Sequence, residues 1–308
     1  MGKDENMELI KEFTITAADG LKISAALSLP VGEDCEAKGV IHFIHGVKEH
    51  KARYYDIMKY LSANGFACII TDNRGHGDSV NNEYFLGHMD GVKRLVGDQE
   101  LIINYIKEMF PGKDIYMFAH SFGSMLGRCV LQEHDAEYKK VILSGTVRYI
   151  PASHIGIFIS SLFAFFSSKN KYSRLITALG EVNGDDWICG NPEIMAELKQ
   201  DPKCTGYSYT IGANATVFES NREISRAKKY KCNNPELPVL SLSGELDPMP
   251  GGKRGLRQIE KYLRKAGYVN VRCKEYAGMK HEIINELGKE KVYSDILAFF
   301  SGNFEADE

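Results

Sequence analysis

The five residues Ala119-His120-Ser121-Phe122-Gly123 carry the clearest chemical signal in this chain. A serine hydroxyl becomes a useful nucleophile when a base takes its proton, and the base needs a partner that fixes its tautomer. The apolar run Asp114 to Ala119 reads as a strand and Phe122 to Glu133 as a helix, so Ser121 falls on the turn between them. A turn that sharp crowds the backbone and calls for small residues two positions either side of the serine. Ala119 and Gly123 meet that demand. The helix N-terminus beneath the hydroxyl would present backbone N–H groups to a developing oxyanion.

Base and acid must come from other loops at the C-terminal ends of strands, where open α/β sheets place their sites. Asp247 follows the strand-like run Val239 to Leu242, within Ser243-Gly244-Glu245-Leu246-Asp247-Pro248. His281 follows a run ending near Tyr276, within Gly278-Met279-Lys280-His281-Glu282. The order Ser121, Asp247, His281 is that of a strand-turn-helix serine hydrolase. Its roles would be nucleophile for Ser121, general base for His281 and orienting acid for Asp247. An early run ends in His45-Gly46-Val47, and the Val47 N–H is the candidate second oxyanion donor beside that of Phe122.

Blander readings stand beside these. Ser121 could be an ordinary helix N-cap, and Asp247 a turn residue before Pro248, with Asp185, Asp186 and Glu245 as rival acids. His120 is read as structural, pointing to the opposite face of the turn. His45 and His76 are read as loop-holding residues. Arg74, in the glycine-rich stretch Asp72 to Ser79, is a candidate brace for the serine's loop. No HExxH or comparable spacing occurs, so neither a metal nor a cofactor is expected.

The elements that must position these groups follow from periodicity. Glu8 to Thr16 and Leu21 to Leu29 alternate around Asp19-Gly20 as a hairpin would. Strand-like runs at Val40 to Ile44, Phe66 to Thr71, Ile115 to Phe118, Val141 to Leu143, Val239 to Leu242 and Val269 to Tyr276 then alternate with helical patterns. The helical patterns are Tyr54 to Ala63, Val92 to Met109, the one after Ser121, Lys253 to Ala266 and Asn285 to Phe300. Such alternation predicts an α/β fold, a mostly parallel central sheet with helices on both faces. The rhythm stops between Val147 and about Glu223, which reads as an inserted cap. The expected division is a core of residues 1–146 and 226–308 with a cap at 147–225.

Composition narrows the function classes. The 308 residues carry a formal net charge of −3 and no basic stripe that would neutralise phosphates, so nucleic acid is not an expected partner. Seven scattered cysteines without a CxxC pair suit reduced thiols and a cytoplasmic location. Met1 to Glu8 is polar and charged, unlike a secretory signal, and Asn6 departs from the Ser or Thr that a myristoylation start after Gly2 requires. Ile155 to Phe166, the longest apolar stretch, is too short to span a bilayer. Oligomeric state is left open.

Taken together, His45-Gly46 with Glu49-His50 behind it, the Asp72-to-Ser79 loop, the serine turn, Gly244-Glu245-Leu246-Asp247-Pro248 and His281-Glu282 resemble an α/β-hydrolase-fold protein. The set is most similar to the monoacylglycerol lipase, lysophospholipase and serine aminopeptidase group. The usual turn there reads Gly-His-Ser-x-Gly; Ala119 departs from it, which implies a slightly tighter or shifted turn. The resemblance implies a helical lid over the serine and hydrolysis of carboxylic esters such as monoacylglycerols or lysophospholipids. It leaves room for an aminopeptidase, in which Glu181, Asp185 or Asp186 would hold the substrate's ammonium, and for a non-catalytic binding member. Phe158, Leu162, Phe163 and Phe166 in the cap are candidates for an acyl pocket or for transient contact with a membrane surface, a buried core helix being the plainer reading. Lys169, Lys171 and Arg174 are read as a solvated face.

Overall fold

In the computed structural model, residues 10–30, 36–180 and 184–304 are described. The expectations placed on Met1 to Leu9, on Cys35 and on Glu181 lie outside them. Among the described residues, eight strands form one sheet: β1 (Lys11–Thr16), β2 (Lys22–Ser28), β3 (Val40–Ile44), β4 (Ala67–Thr71), β5 (Ile115–His120), β6 (Tyr138–Ser144), β7 (Val239–Gly244) and β8 (Val271–Tyr276). Their spatial order is β1-β2-β4-β3-β5-β6-β7-β8. β2 runs antiparallel to both neighbours, while every pair from β4 to β8 is parallel.

The central strands read as unbroken apolar runs because both faces are covered. α2 (Val92–Met109), α3 (Phe122–His134) and α8 (Gly252–Ala266) close one face, packing Leu95, Leu126, Val130, Ile259 and Leu263 into a shared cluster. α1 (Tyr55–Ala63) and α9 (Lys289–Ser301) close the other with Ile57, Leu61, Val292, Ile296 and Phe300. α9 begins four residues later than its apolar pattern suggests. Asn285 to Gly288 is drawn instead into the His281 loop, and Gly288 turns the chain at φ 82° before the helix starts.

Between β6 and β7 the chain leaves the sheet as α4 (Ser153–Phe166), α5 (Arg174–Gly180), α6 (Pro192–Gln200) and α7 (Ile211–Glu223). Thr210 caps α7 through the Ala213 N–H, and Asn191 caps α6 with Pro192 at its first turn. α4 packs on α7 with its small residues, Ser153, Gly156 and Ser160, buried. A Cβ at Gly156 would lie 2.6 Å from the Phe218 ring, so glycine sets that approach. Phe158, Leu162, Phe165 and Phe166 consequently face out, while Ile157, Ile159 and Phe163 pack toward Ile176, Ile211 and Phe218. Among the described residues, no helix is long and apolar enough to cross a membrane.

Candidate active site

β5 delivers Ser121 to its end, where the backbone takes φ 54°, ψ −120°. That conformation is costly for a residue with a Cβ and persists only where the surroundings enforce it. Here they do. The Ser121 N–H donates to the Ser144 carbonyl at the end of β6 (2.9 Å), and the Ser124 N–H donates to the Ser121 carbonyl (2.8 Å). A Cβ on Gly123 would clash with the Ile44 carbonyl, so α3 starts hard against β3. The Ala119 methyl is accommodated because the facing helix position is Gly127, whose Cβ would fall 3.1 Å from it.

Two further loops meet the serine. His281 Nε2 lies 2.8 Å from Ser121 Oγ, and its Nδ1 lies 2.9 Å from Asp247 Oδ2. With the carboxylate as acceptor, Nδ1 carries the proton and Nε2 accepts from the serine hydroxyl. Asp247 is itself held, its Oδ1 accepting the Met249 N–H at 2.8 Å. Its loop and that of His281 are stitched together by the Leu246 N–H donating to the Met279 carbonyl and the Glu245 N–H to that of Tyr276, both at 2.9 Å. All three side chains are buried. The sequence-derived trio is therefore one connected chain of hydrogen bonds.

The loop after β3 lies alongside. A Cβ on Gly46 would fall 2.9 Å from the Ser121 Cβ, so this loop presses directly on the serine. The Gly46 N–H donates to Glu49 Oε1, and the Lys48 N–H donates to the Tyr209 hydroxyl at 3.0 Å. Val47 sits between these two tied neighbours, and neither its N–H nor that of Phe122 finds a protein acceptor among the described residues.

Beneath this loop is a buried charged cluster. Arg53 bridges Glu282 (2.5 Å) and Glu49 (3.7 Å), and the Tyr54 hydroxyl donates to Glu49 at 2.9 Å. Burial, reinforced by Glu282, pushes the Glu49 carboxyl up to about 7. The cluster joins the Gly46 loop to the residue after His281.

Several expectations need correction. His120 does not point away: its ring centroid lies 4.8 Å from that of His281, and burial holds its pKa well below the ordinary range. It supports the imidazole from beneath as a neutral ring. Arg74 does not brace the serine loop. Its guanidinium makes two bonds to Asp98 on α2 (2.9 and 2.7 Å) and one to Asp19, a bidentate match that outcompetes a carbonyl partner. Glu245 accepts from the Gly278 N–H (3.0 Å), and Asp185 and Asp186 are exposed, so none reaches His281 in place of Asp247.

His45 and His76 do hold loops. The Asn73 N–H donates to His45 Nε2 at 2.7 Å, and His76 Nε2 pairs with the Tyr209 hydroxyl. Of the cap candidates, Phe163 packs inward against the small cluster of Ile176, Ile211 and Phe218. Phe158, Leu162 and Phe166 are 68%, 45% and 78% exposed. Lys169 pairs with Asp90 (2.9 Å) on the surface, and Lys171 and Arg174 are exposed too.

Sequence reasoning missed Trp187, whose ring centroid is 4.9 Å from that of His281, and the Glu49–Arg53–Glu282 cluster. It also missed a grouping that could hold a metal ion, His50, Asp201 and Cys204, whose ligand atoms lie within 4.8 Å of one another. The protons argue for a latch instead. The Ala52 N–H donates to His50 Nδ1 (3.3 Å), which leaves the proton on Nε2, where it is donated to Asp201 at 2.6 Å. A metal would need that nitrogen free. Such contacts between positions 151 apart leave no mark in local spacing.

The profile of the family described as serine aminopeptidase, S33, matches residues 35–288 of this chain. The chain belongs to that family. As an S33-family protein it is 23% identical over 293 residues to a monoacylglycerol lipase of Mycolicibacterium smegmatis, covering 94% of this chain and 96% of the relative. Its fold is that of the α/β hydrolases. It superposes on a thermostable carboxyl esterase from Bacillus coagulans with a TM-score of 0.84 at 22% identity, covering 95% and 98% of the two chains. A soluble variant of monoglyceride lipase from Saccharomyces cerevisiae superposes with a TM-score of 0.73 at 20% identity, covering 97% of each chain.

Proposed function

We propose that this S33-family protein is a serine hydrolase of carboxylic esters, with monoacylglycerol- or lysophospholipid-like substrates. The observation that carries the reading is the continuous hydrogen-bonded chain from Asp247 through His281 to Ser121. His281 takes the Ser121 proton as Oγ attacks the ester carbonyl, and the Val47 and Phe122 N–H groups receive the developing oxyanion. His281 then returns the proton to the departing alcohol, leaving an acyl-enzyme on Ser121. Water, deprotonated by the same imidazole, attacks that ester and releases the acid.

The β6–β7 insertion acts as the cap, and its exposed apolar surface supports a lipid-like substrate. Phe158, Leu162, Phe165 and Phe166 form an exposed apolar surface on α4, with Leu175 and Leu179 exposed on α5. Such a surface suits transient docking on a lipid interface. Each methylene that an acyl chain buries contributes about 0.8 kcal/mol. The esterase and lipase relatives support the same reading.

Ser121→Ala should abolish ester hydrolysis, a loss of about 10⁶ where a triad serine is removed, together with labelling by a fluorophosphonate probe. Labelling at the wild-type rate would move the nucleophile elsewhere. The aminopeptidase reading is favoured by exposed Asp185 and Asp186, next in sequence to the Trp187 that touches His281. A series of p-nitrophenyl esters from short to long chains beside aminoacyl anilides separates the two. Fast long-chain ester turnover supports the lipase, and cleavage of anilides alone overturns it.

A further inference from the structure

The His281 imidazole has two aromatic neighbours. The His120 centroid lies 4.8 Å from that of His281, tilted by 47°, and that of Trp187 4.9 Å away, tilted by 54°. His120 and Gly145 belong to the core, and a Cβ on Gly145 would fall 2.7 Å from His281 Cε1, so on that side the ring has no slack. Trp187, the only tryptophan of the chain, comes from the insertion instead. It is fixed before it touches the histidine, because its indole N–H donates to the Gly184 carbonyl at 2.9 Å.

The backbone around Trp187 is knitted to the histidine's own loop. The His281 N–H donates to the Trp187 carbonyl (3.3 Å), and the Glu282 N–H donates to that of Ile188 (2.8 Å). The Gly190 N–H donates to Glu286 Oε1 at 2.7 Å, and the same oxygen accepts the Lys280 N–H at 2.9 Å. The segment from Gly184 to Asn191 thus moves only if the His281 loop moves with it.

We propose that Trp187 is a positioning residue for the His281 imidazole, so that the insertion takes part in the proton transfer itself. The inference rests on the serine-hydrolase reading above. When Ser121 gives up its proton to Nε2, the ring becomes an imidazolium, charged at both nitrogens. Asp247 balances the charge at Nδ1. The indole face attracts the cation and excludes water from the ring's outer side. It also restrains rotation that would swing Nε2 away from Ser121 Oγ.

The groups carrying charge or titrating around His281 include Asp247, Glu282 with its Arg53 partner, Glu286, Lys280, and neutral His120. Exposed Asp185 and Asp186 immediately precede the indole in sequence.

The test uses the full chain with a soluble short-chain p-nitrophenyl ester. Trp187→Ala should lower kcat by about 10²-fold, the scale of a misplaced catalytic group, with KM little changed. Trp187→Phe should restore kcat to within about threefold of wild type, since a smaller π face remains. The single tryptophan also supplies a direct readout. In Ser121→Ala, indole emission should rise as His281 loses its proton, because an imidazolium quenches a neighbouring indole, and adding His281→Gln should flatten that titration.

Unchanged kcat and pH profile in Trp187→Ala overturns the proposal. A fall in kcat without an emission titration assigns the effect to the backbone contacts and overturns the role of the ring. If circular dichroism shows Trp187→Ala unfolded, Trp187→Phe and the emission titration decide. Hydrolysis that survives Ser121→Ala refutes the nucleophile assignment, an outcome distinct from any of these.

Discussion

The two halves of the β6–β7 insertion are built on opposite principles. From Gly184 to Glu223 it is polar and tied to the core at many points. His50 holds Asp201, Lys203 pairs with Asp78 (2.6 Å), and His88 bonds Thr210 (2.8 Å). The Gly91 N–H donates to Thr216 (2.8 Å), and Trp187 lies on His281. From Ser153 to Gly180 the chain instead rests on α7 through small residues and turns Phe158, Phe165 and Phe166 outward. The first half is part of the site's frame. The second is a greasy surface carried by that frame. Under the proposed function, chemistry and contact with an apolar phase would be divided between neighbouring segments of the insertion.

That division can be broken in either direction. Asp247→Asn disturbs only the frame side; loss of the tautomer-fixing carboxylate should cost about 10⁴ in kcat, measured on a soluble ester, while binding to neutral lipid vesicles stays as in wild type. Replacing Phe158, Phe165 and Phe166 together by serine should do the reverse. Vesicle binding should weaken on the order of 10²-fold or more, with soluble-ester kcat within about twofold. If the triple variant loses soluble-ester activity to the same extent, the two halves are not separable.

A smaller effect is expected where the halves meet. Gly156→Val drives a side chain into the Phe218 ring and should cost about 1–3 kcal/mol in urea unfolding, with α4 loosened and the triad intact. A further effect on the frame depends on pH. Folded Glu49 keeps its proton up to about 7, whereas an unfolded glutamate releases it near 4.5. Between those values the folded state binds more protons, so stability falls as pH rises through the window. Glu49→Gln keeps an acceptor for the Gly46 N–H and removes that slope. Melting temperatures of both proteins across the window check it; equal slopes would place the proton elsewhere.

Much of the site was legible beforehand because its demands are local. Gly123 and the small residue at 119 are needed within two positions of Ser121, and the loops of Asp247 and His281 follow recognisable strands. A hairpin alternating at period two, short unbroken apolar runs and helical patterns of period near four placed the sheet and its helices. Even the outward turn of α4 has a trace in Ser153, Gly156 and Ser160, spaced three and four apart on one helical face. An apolar run read by total hydrophobicity hides that stripe.

Other features depend on which distant segments the sheet order brings together. Arg74 chose Asp98 over the serine loop, and Arg53 reached Glu282 across 229 positions. His120 turned toward His281 because Gly145 leaves room beside both rings. Residue types and short spacings determined the reagents and the order of the elements, since steric crowding in a turn and burial along a strand act over a few residues. Only the tertiary structure decided that Trp187 covers the imidazole, that Glu49 lies under the Gly46 loop and that α4 faces outward. Those depend on shape and charge complementarity between surfaces that meet only once the sheet has formed.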